Sequence, residues 1–236
     1  MALLDVVNIT SGYGETIIVR EVSLRLDEGK LTALVGSNGA GKTTLLHTVM
    51  GLLKPRQGKL IFRGEEITRQ PSYVRSRLGI TMVPEGRQLF TNMTVSENLE
   101  MGAAAVRDRV VRGERLEFVF RLFPRIKERL KQKAGTLSGG EQQMAAIARS
   151  LMAGPKLLIF DELTLGLSPA LSLSLFETLR QLKAAGQTML LVEQNVRLAL
   201  ALSDYAYVLS EGKIHMEGPA KSIADHEDVR QAFLGM

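Results

Sequence analysis

The sequence predicts an α/β fold built on a parallel sheet, with an antiparallel β portion at its N-terminus and a helical insert. Three observations predict it. Short apolar runs that read as buried strands alternate with helical patterns, a glycine-rich turn stands between one such run and a helix, and strand signals vanish between about Val95 and Met152. At 236 residues the chain is long enough for one large domain or two small ones. Its 45% hydrophobic and 23% charged residues are those of a chain that folds.

In order, residues 3–9 and 17–26 read as strands joined antiparallel around Gly12, Tyr13 and Gly14. Leu31 to Val35 is a short buried strand, and the helix that follows from Lys42 stops at Gly51. Lys59–Phe62 and Ile80–Val83 are strands, with Pro71 between them opening a short helix. The insert is helical, interrupted at Gly113, Pro124 and Gly135. Strands resume at Leu157–Phe160, Met189–Val192 and Tyr205–Leu209, with Ser168 as an N-cap and Pro169 in the first turn of the helix between the first two. Ser210 to Lys213 forms a hairpin turn into a last strand, and a helical tail starts at about Asp228. One α/β lobe results, with its core at about 1–87 and 156–236 and a helical subdomain at about 88–155.

Composition excludes several chemistries. No cysteine is present, so disulfides, thiolate metal sites and thiol catalysis are absent. His47, His215 and His226 lack metal-ligand spacing and read as ordinary surface or packing residues. No run approaches the roughly 18 apolar residues that cross a bilayer, and no basic segment leads into an apolar one at the N-terminus. The formal charge of +5 admits nucleic acid, acidic lipid or a phosphate ligand. With 5% aromatic residues and no Trp to stack bases, nucleic acid is not an expected partner. Basic residues between Arg107 and Lys133 read as a solvated helix face, or else as a docking or headgroup surface.

Gly36, Ser37, Asn38, Gly39, Ala40, Gly41, Lys42 and Thr43 fit G-x-x-x-x-G-K-[ST], followed by Thr44, between a strand and a helix. Glycines let backbone amides turn around phosphate oxygens, Lys42 reaches the outer phosphates, and Thr43 can ligate Mg²⁺. Leu157-Leu-Ile-Phe-Asp-Glu162 ends an apolar strand in two acids. Asp161 suits a magnesium role, through Thr43 or a water, and Glu162 is placed to polarise a water for attack on the γ-phosphate. Ser138, Gly139 and Gly140 open a helix as a second anion cap. Facing outward it would close on a nucleotide held by another subunit; otherwise it is a capped helix without a ligand.

These three strings in this order resemble the ATP-binding subunit of an ABC transporter, over essentially the whole chain. The resemblance implies a P-loop NTPase (ABC ATPase) core, ATP and Mg²⁺ as ligands, and a second ATPase subunit, identical or not, with two ATPs sandwiched between them. It implies that Tyr13 stacks on adenine and that Ser138, Gly139, Gly140 and Glu141 complete the partner's site. Membrane permease subunits, a solute-binding protein acting indirectly, and a peripheral place on the cytoplasmic membrane face follow from the same resemblance.

Two positions depart from the general family pattern. Glu85, in Val83-Pro-Glu-Gly-Arg87, stands where most members have Gln, and Gln194, in Leu191-Val-Glu-Gln-Asn195, where most have His. With Met93-Thr-Val-Ser-Glu-Asn-Leu99 these strings are similar to one of the two ATPase subunits of branched-chain amino-acid importers, and urea or amide importers are similar too. Gln194 then acts in catalysis as a hydrogen-bond donor that cannot carry a proton. Glu85 sits at the nucleotide beside Mg²⁺, or turns to solvent or a partner. Leu163 and Thr164 replace the subfamily's Pro-Ser, which predicts a looser loop after the acids. Two other classes compete: a non-transport ABC ATPase acting on nucleic acid or ribosomes, and a P-loop kinase with a small acceptor.

Overall fold

The computed structural model describes residues 1–231. Strand β1 (Ala2–Tyr13) pairs antiparallel with β2 (Thr16–Asp27), where Val22, Leu24 and Leu26 alternate inward as the sequence pattern demands. Both strands run longer than expected. Gly12 is not part of the turn: it lies inside β1, where a Cβ would come within 1.9 Å of the Thr16 carbonyl oxygen, so the glycine serves close strand pairing.

Next come β3 (Leu31–Val35), α1 (Lys42–Met50), β4 (Gln57–Phe62), β5 (Glu65–Glu66), α2 (Ser72–Leu78) and β6 (Ile80–Val83). The helical segment follows as α3 (Val95–Gly102), α4 (Arg109–Leu122), α5 (Pro124–Glu128), a 3₁₀ turn at Ala134–Thr136, and α6 (Gly139–Met152). The chain then alternates through β7 (Leu157–Asp161), α7 (Pro169–Ala184), β8 (Thr188–Glu193), α8 (Val196–Leu202) and β9 (Tyr205–Ser210). It ends in β10 (Lys213–Pro219), α9 (Ala220–Asp225) and α10 (Glu227–Val229). Gly113 does not interrupt its helix; it sits inside α4 with open space around it, and the Asp108 cap and the buried Val119 and Phe120 override its low helix propensity. The expected helical tail begins at Glu227, and its residues 232–236 lie outside the described ones. Sequence patterns missed β5 and α9.

Two sheets organise the chain. The smaller has the order β2-β1-β4-β5, and the larger β10-β9-β3-β8-β7-β6. Within the larger, β3, β6, β7, β8 and β9 run parallel, and only β10 is antiparallel to its neighbour. Every residue of β3, β7 and β8 is buried, which is why these strands read as continuous apolar runs. One face of the large sheet packs with the helical segment, through Phe160, Leu158 and Ile147; the other packs with α1 and the small sheet, through Leu34, Ile159 and Leu46.

Register sets the site. Val35 pairs with Glu193, and Asp161 with Val192. The turn after β3, the acids after β7 and the chain after β8 therefore emerge side by side at the carboxyl edge of the sheet, where parallel sheets bind ligands.

Candidate functional site

The turn after β3 is built for close approach of its backbone. Gly39 and Gly41 have φ of 80° and 105°, and a Cβ on Gly36 would lie 2.3 Å from the Leu209 carbonyl oxygen. No side chain caps α1 at Gly41, so the first amides of the helix stay free for an anion. Lys42 Nζ donates to the carbonyl oxygens of Gly36 and Ser37, at 2.9 and 3.0 Å. These bonds fold the ammonium over the turn that its own chain makes. A cavity of about 530 Å³ lies in front of it and brings together Tyr13, Lys42, Thr43, Glu85, Glu162 and Gln194, with Asn38, Gly39, Gly41 and Thr44 in its wall. Gly36, Ser37 and Ala40 shape the turn without lining the cavity, and Ala40 is buried.

The two acids fall into different environments. Asp161, the last residue of β7, is buried, and its Oδ1 has no hydrogen-bond partner among the described residues. Burial first, then the charges of Glu162 and Glu85, push its carboxyl up to about 6 against the opposing pull of Lys42. Glu162 takes a left-handed backbone conformation, φ 48°, which is uncommon without glycine; its amide bonds the Val192 carbonyl at 2.9 Å. That turn aims one carboxylate oxygen to 3.4 Å from Lys42 Nζ, while the other accepts a 2.6 Å bond from Gln194 Nε2. Glu162 is thus oriented from both sides in the mouth of the cavity.

Tyr13 is half exposed on the cavity wall, and its hydroxyl lies 3.1 Å from His47 Nδ1. His47 is therefore not merely a surface residue: it fixes the tip of the ring. Glu85 is exposed between this cavity and a neighbouring groove lined by His47, Met82 and Asp161. It faces solvent, and its charge lies close enough to Asp161 to be felt there. Arg87, two residues on and at φ 67°, donates to Gln142 Oε1 at 3.1 Å, which ties this loop to the start of α6.

Ser138 caps α6 in a reciprocal arrangement. Its hydroxyl accepts from the Glu141 amide, and the Glu141 carboxylate accepts from the Ser138 amide at 2.9 Å and hydroxyl at 2.7 Å. The Glu141 carboxylate is thus engaged by the cap, with Arg129 Nε a further 3.5 Å away, and it supports Ser138 rather than facing outward for a ligand. The Gly139 and Gly140 amides, first in the helix, are the donors left for an anion. Gly140 has a packing reason as well, since a Cβ there would meet Leu171 at 2.6 Å. This cap does not line the cavity of its own chain.

The loop after Glu162 is not loosened by Leu163 and Thr164. Leu163 is buried, and Thr164 bonds the Glu193 carboxylate twice, amide to Oε1 at 3.1 Å and hydroxyl to Oε2 at 3.0 Å. Side-chain anchoring replaces the fixed φ of a proline. The basic residues of the helical segment are partly spent on packing: Arg115 donates to the Met152 carbonyl, Arg121 lies over Phe118 and Lys127 over Phe120.

A family model described as ABC transporter matches residues 19–165. The chain belongs to the ABC transporter family. The high-affinity branched-chain amino acid transport ATP-binding protein BraG of Pseudomonas aeruginosa is 43% identical, over 99% of this chain and all of its own. A probable branched-chain amino acid transport ATP-binding protein, LivF, of Archaeoglobus fulgidus is 38% identical over 99% of both chains. The crystal structure of the ADP conformation of an ATP-binding cassette of an ABC transporter superimposes with a TM-score of 0.88, at 28% identity and covering both chains fully. The α/β core with its antiparallel β portion and helical segment is therefore that of an ABC ATPase cassette, as the sequence predicts.

The divalent cation expected from the sequence would find fitting groups beside the phosphate turn. Asp161 Oδ1 is a buried acceptor without a partner among the described residues, and Thr43 lines both the cavity and the groove that Asp161 reaches. Among the described residues no cluster of three acidic or histidine side chains gathers there, so such a cation would share its coordination with phosphate oxygens and water. Three contributors escaped the sequence reading: His47, Arg87 and Glu193. All three act across 29 or more residues of sequence, through contacts that no local pattern signals.

Proposed function

We propose that this chain is the ATP-hydrolysing subunit of an ABC importer and that the solute imported is a branched-chain amino acid. The convergence of Lys42, Glu162 and Gln194 on one cavity supports the hydrolytic part of this reading. Likeness to BraG along the full length of both chains supports the solute.

In this reading the residues divide the work by chemistry. Amides of the 36–43 turn and Lys42 bind the phosphates, and Tyr13 offers its ring to adenine. Thr43 and Asp161, with Glu85 alongside, would hold Mg²⁺, which neutralises phosphate charge when bound. Glu162 accepts the proton of the attacking water, and its two-sided anchoring holds that oxygen in line. Gln194 donates a hydrogen bond toward the γ-phosphate side of the cavity without supplying charge. The Ser138–Gly140 cap, turned away from its own cavity, closes the site of a second ATPase subunit, so that two ATPs join two chains. The core at 1–87 and 156–236 carries the first set of residues, and the subdomain at 88–155 carries the cap.

No helix among the described residues is long and apolar enough to cross a membrane. Transport then falls to permease subunits, with this chain on their cytoplasmic face. The test is to purify the chain with its membrane subunits, reconstitute them with the solute-binding protein, and measure hydrolysis against leucine, isoleucine, valine and urea. Stimulation by the branched-chain amino acids alone is expected; stimulation by urea alone would reassign the solute.

A further inference from the structure

Glu193 is 2% exposed, and no Lys, Arg or His forms an ion pair with it among the described residues. A buried carboxylate without a cation is costly, and this one is tolerated because Thr164 supplies two hydrogen bonds. Its position gives that pair a reach beyond local packing. Glu193 ends β8 opposite Val35, the residue before the phosphate turn, and is followed by Gln194. Thr164 lies two residues after Glu162, and the next residue, Leu165, is exposed and lines the nucleotide cavity. The Glu162 amide is already tied to β8 through the Val192 carbonyl. Together the two ties clamp the turn that carries Glu162 onto the strand end that carries Gln194.

We propose that Glu193 is a positioning residue: acting through Thr164, it keeps Glu162 and Gln194 in register and so sets the hydrolysis rate without touching nucleotide. This rests on the reading of the cavity as an ATP-hydrolysing site. The clamp orients groups used in the chemical step and contributes nothing to phosphate binding, so kcat and the KM for ATP respond differently to its loss.

The test is steady-state and single-turnover hydrolysis by the purified full-length chain, with Thr164→Val, Thr164→Ser, Glu193→Gln and the Thr164→Val/Glu193→Gln double variant. Thr164→Val keeps the side-chain volume and removes the hydroxyl; it is expected to lower kcat about tenfold while the KM for ATP stays within about twofold. Thr164→Ser restores the rate, and the double variant is no slower than the slower single one, because both changes act through the one hydroxyl–carboxylate bond between these side chains. The proposal is overturned if Thr164→Val hydrolyses at the wild-type rate, if kcat and KM fall off together, or if the two single losses multiply. Should Glu193→Gln not fold, the Thr164→Val and Thr164→Ser pair decides alone. A wild-type chain that bound no ATP would overturn the functional reading itself, whereas a hydrolysing wild type matched by Thr164→Val would overturn only the clamp.

Discussion

Gln194 Nε2 donates to Glu162 Oε2 at 2.6 Å, and the other Glu162 oxygen lies 3.4 Å from Lys42 Nζ. The carboxylate proposed to accept a proton from water is thereby gripped by a neutral donor on one side and a cation on the other. A neutral donor orients; it does not stabilise developing charge as strongly as a cationic one.

From this follows the effect of changing position 194. Gln194→His is expected to raise the single-turnover rate in the assembled transporter by several-fold, since imidazole can carry charge and exchange a proton. Gln194→Ala, which leaves Glu162 held from one side only, is expected to lower it about tenfold. An equal or slower rate for the His variant would refute the role given to the amide.

Asp161 links function to stability through pH. Its carboxyl is raised to about 6 by burial and by Glu162 and Glu85, while the unfolded chain titrates near 3.8. Between those values the folded state holds the extra proton, so the contribution of this group to stability rises as pH falls from neutral through about 6. In the absence of nucleotide and divalent cations, Tm for wild type relative to Asp161→Asn is expected to rise between pH 7.5 and 5, while Asp161→Asn abolishes Mg²⁺-dependent hydrolysis. A wild-type Tm that falls relative to the Asn variant over that range would contradict this assignment.

Arg75 holds the far end of the helix that begins at Lys42. It is buried, and its guanidinium donates to the carbonyl oxygens of Thr48 and Val49 at the end of α1, and to those of Thr68 and Gln70. Burial lowers its pKa to about 10, so it stays charged at neutral pH and complements the helix C-terminus. Arg75→Leu leaves these acceptors without their donor and is expected to cost roughly 2–4 kcal/mol in urea unfolding. A loss below about 1 kcal/mol would mean that water replaces the guanidinium.

Much of the cassette was legible because its parts are local. The run Leu31 to Val35, the glycine turn and the helix from Lys42 announce each other within twenty residues, and the apolar strand ending in Asp161 and Glu162 does the same. Glycine misled where it does not mark a turn: Gly12 uses its small size inside a strand pressed against Ile17, and Gly113 rides on the open face of α4, where neither its size nor a positive φ is required. The contacts that tune the site were illegible for a different reason. Tyr13 with His47, Thr164 with Glu193 and Glu162 with Gln194 meet only after helix and sheet packing bring their segments together, and for the last two pairs the β7–β8 register decides the meeting. Strand register has no signature in a single sequence beyond the burial of both faces.

In the proposed mechanism Glu162 activates water in a site that binds ATP through other residues. The most direct test of this role is a paired measurement on Glu162→Gln: ATP affinity in the presence of Mg²⁺, and single-turnover hydrolysis. Affinity within about threefold of wild type, with hydrolysis reduced at least a hundredfold, is the expected result. Hydrolysis at the wild-type rate, or a loss of ATP binding as large as the loss of rate, would contradict it.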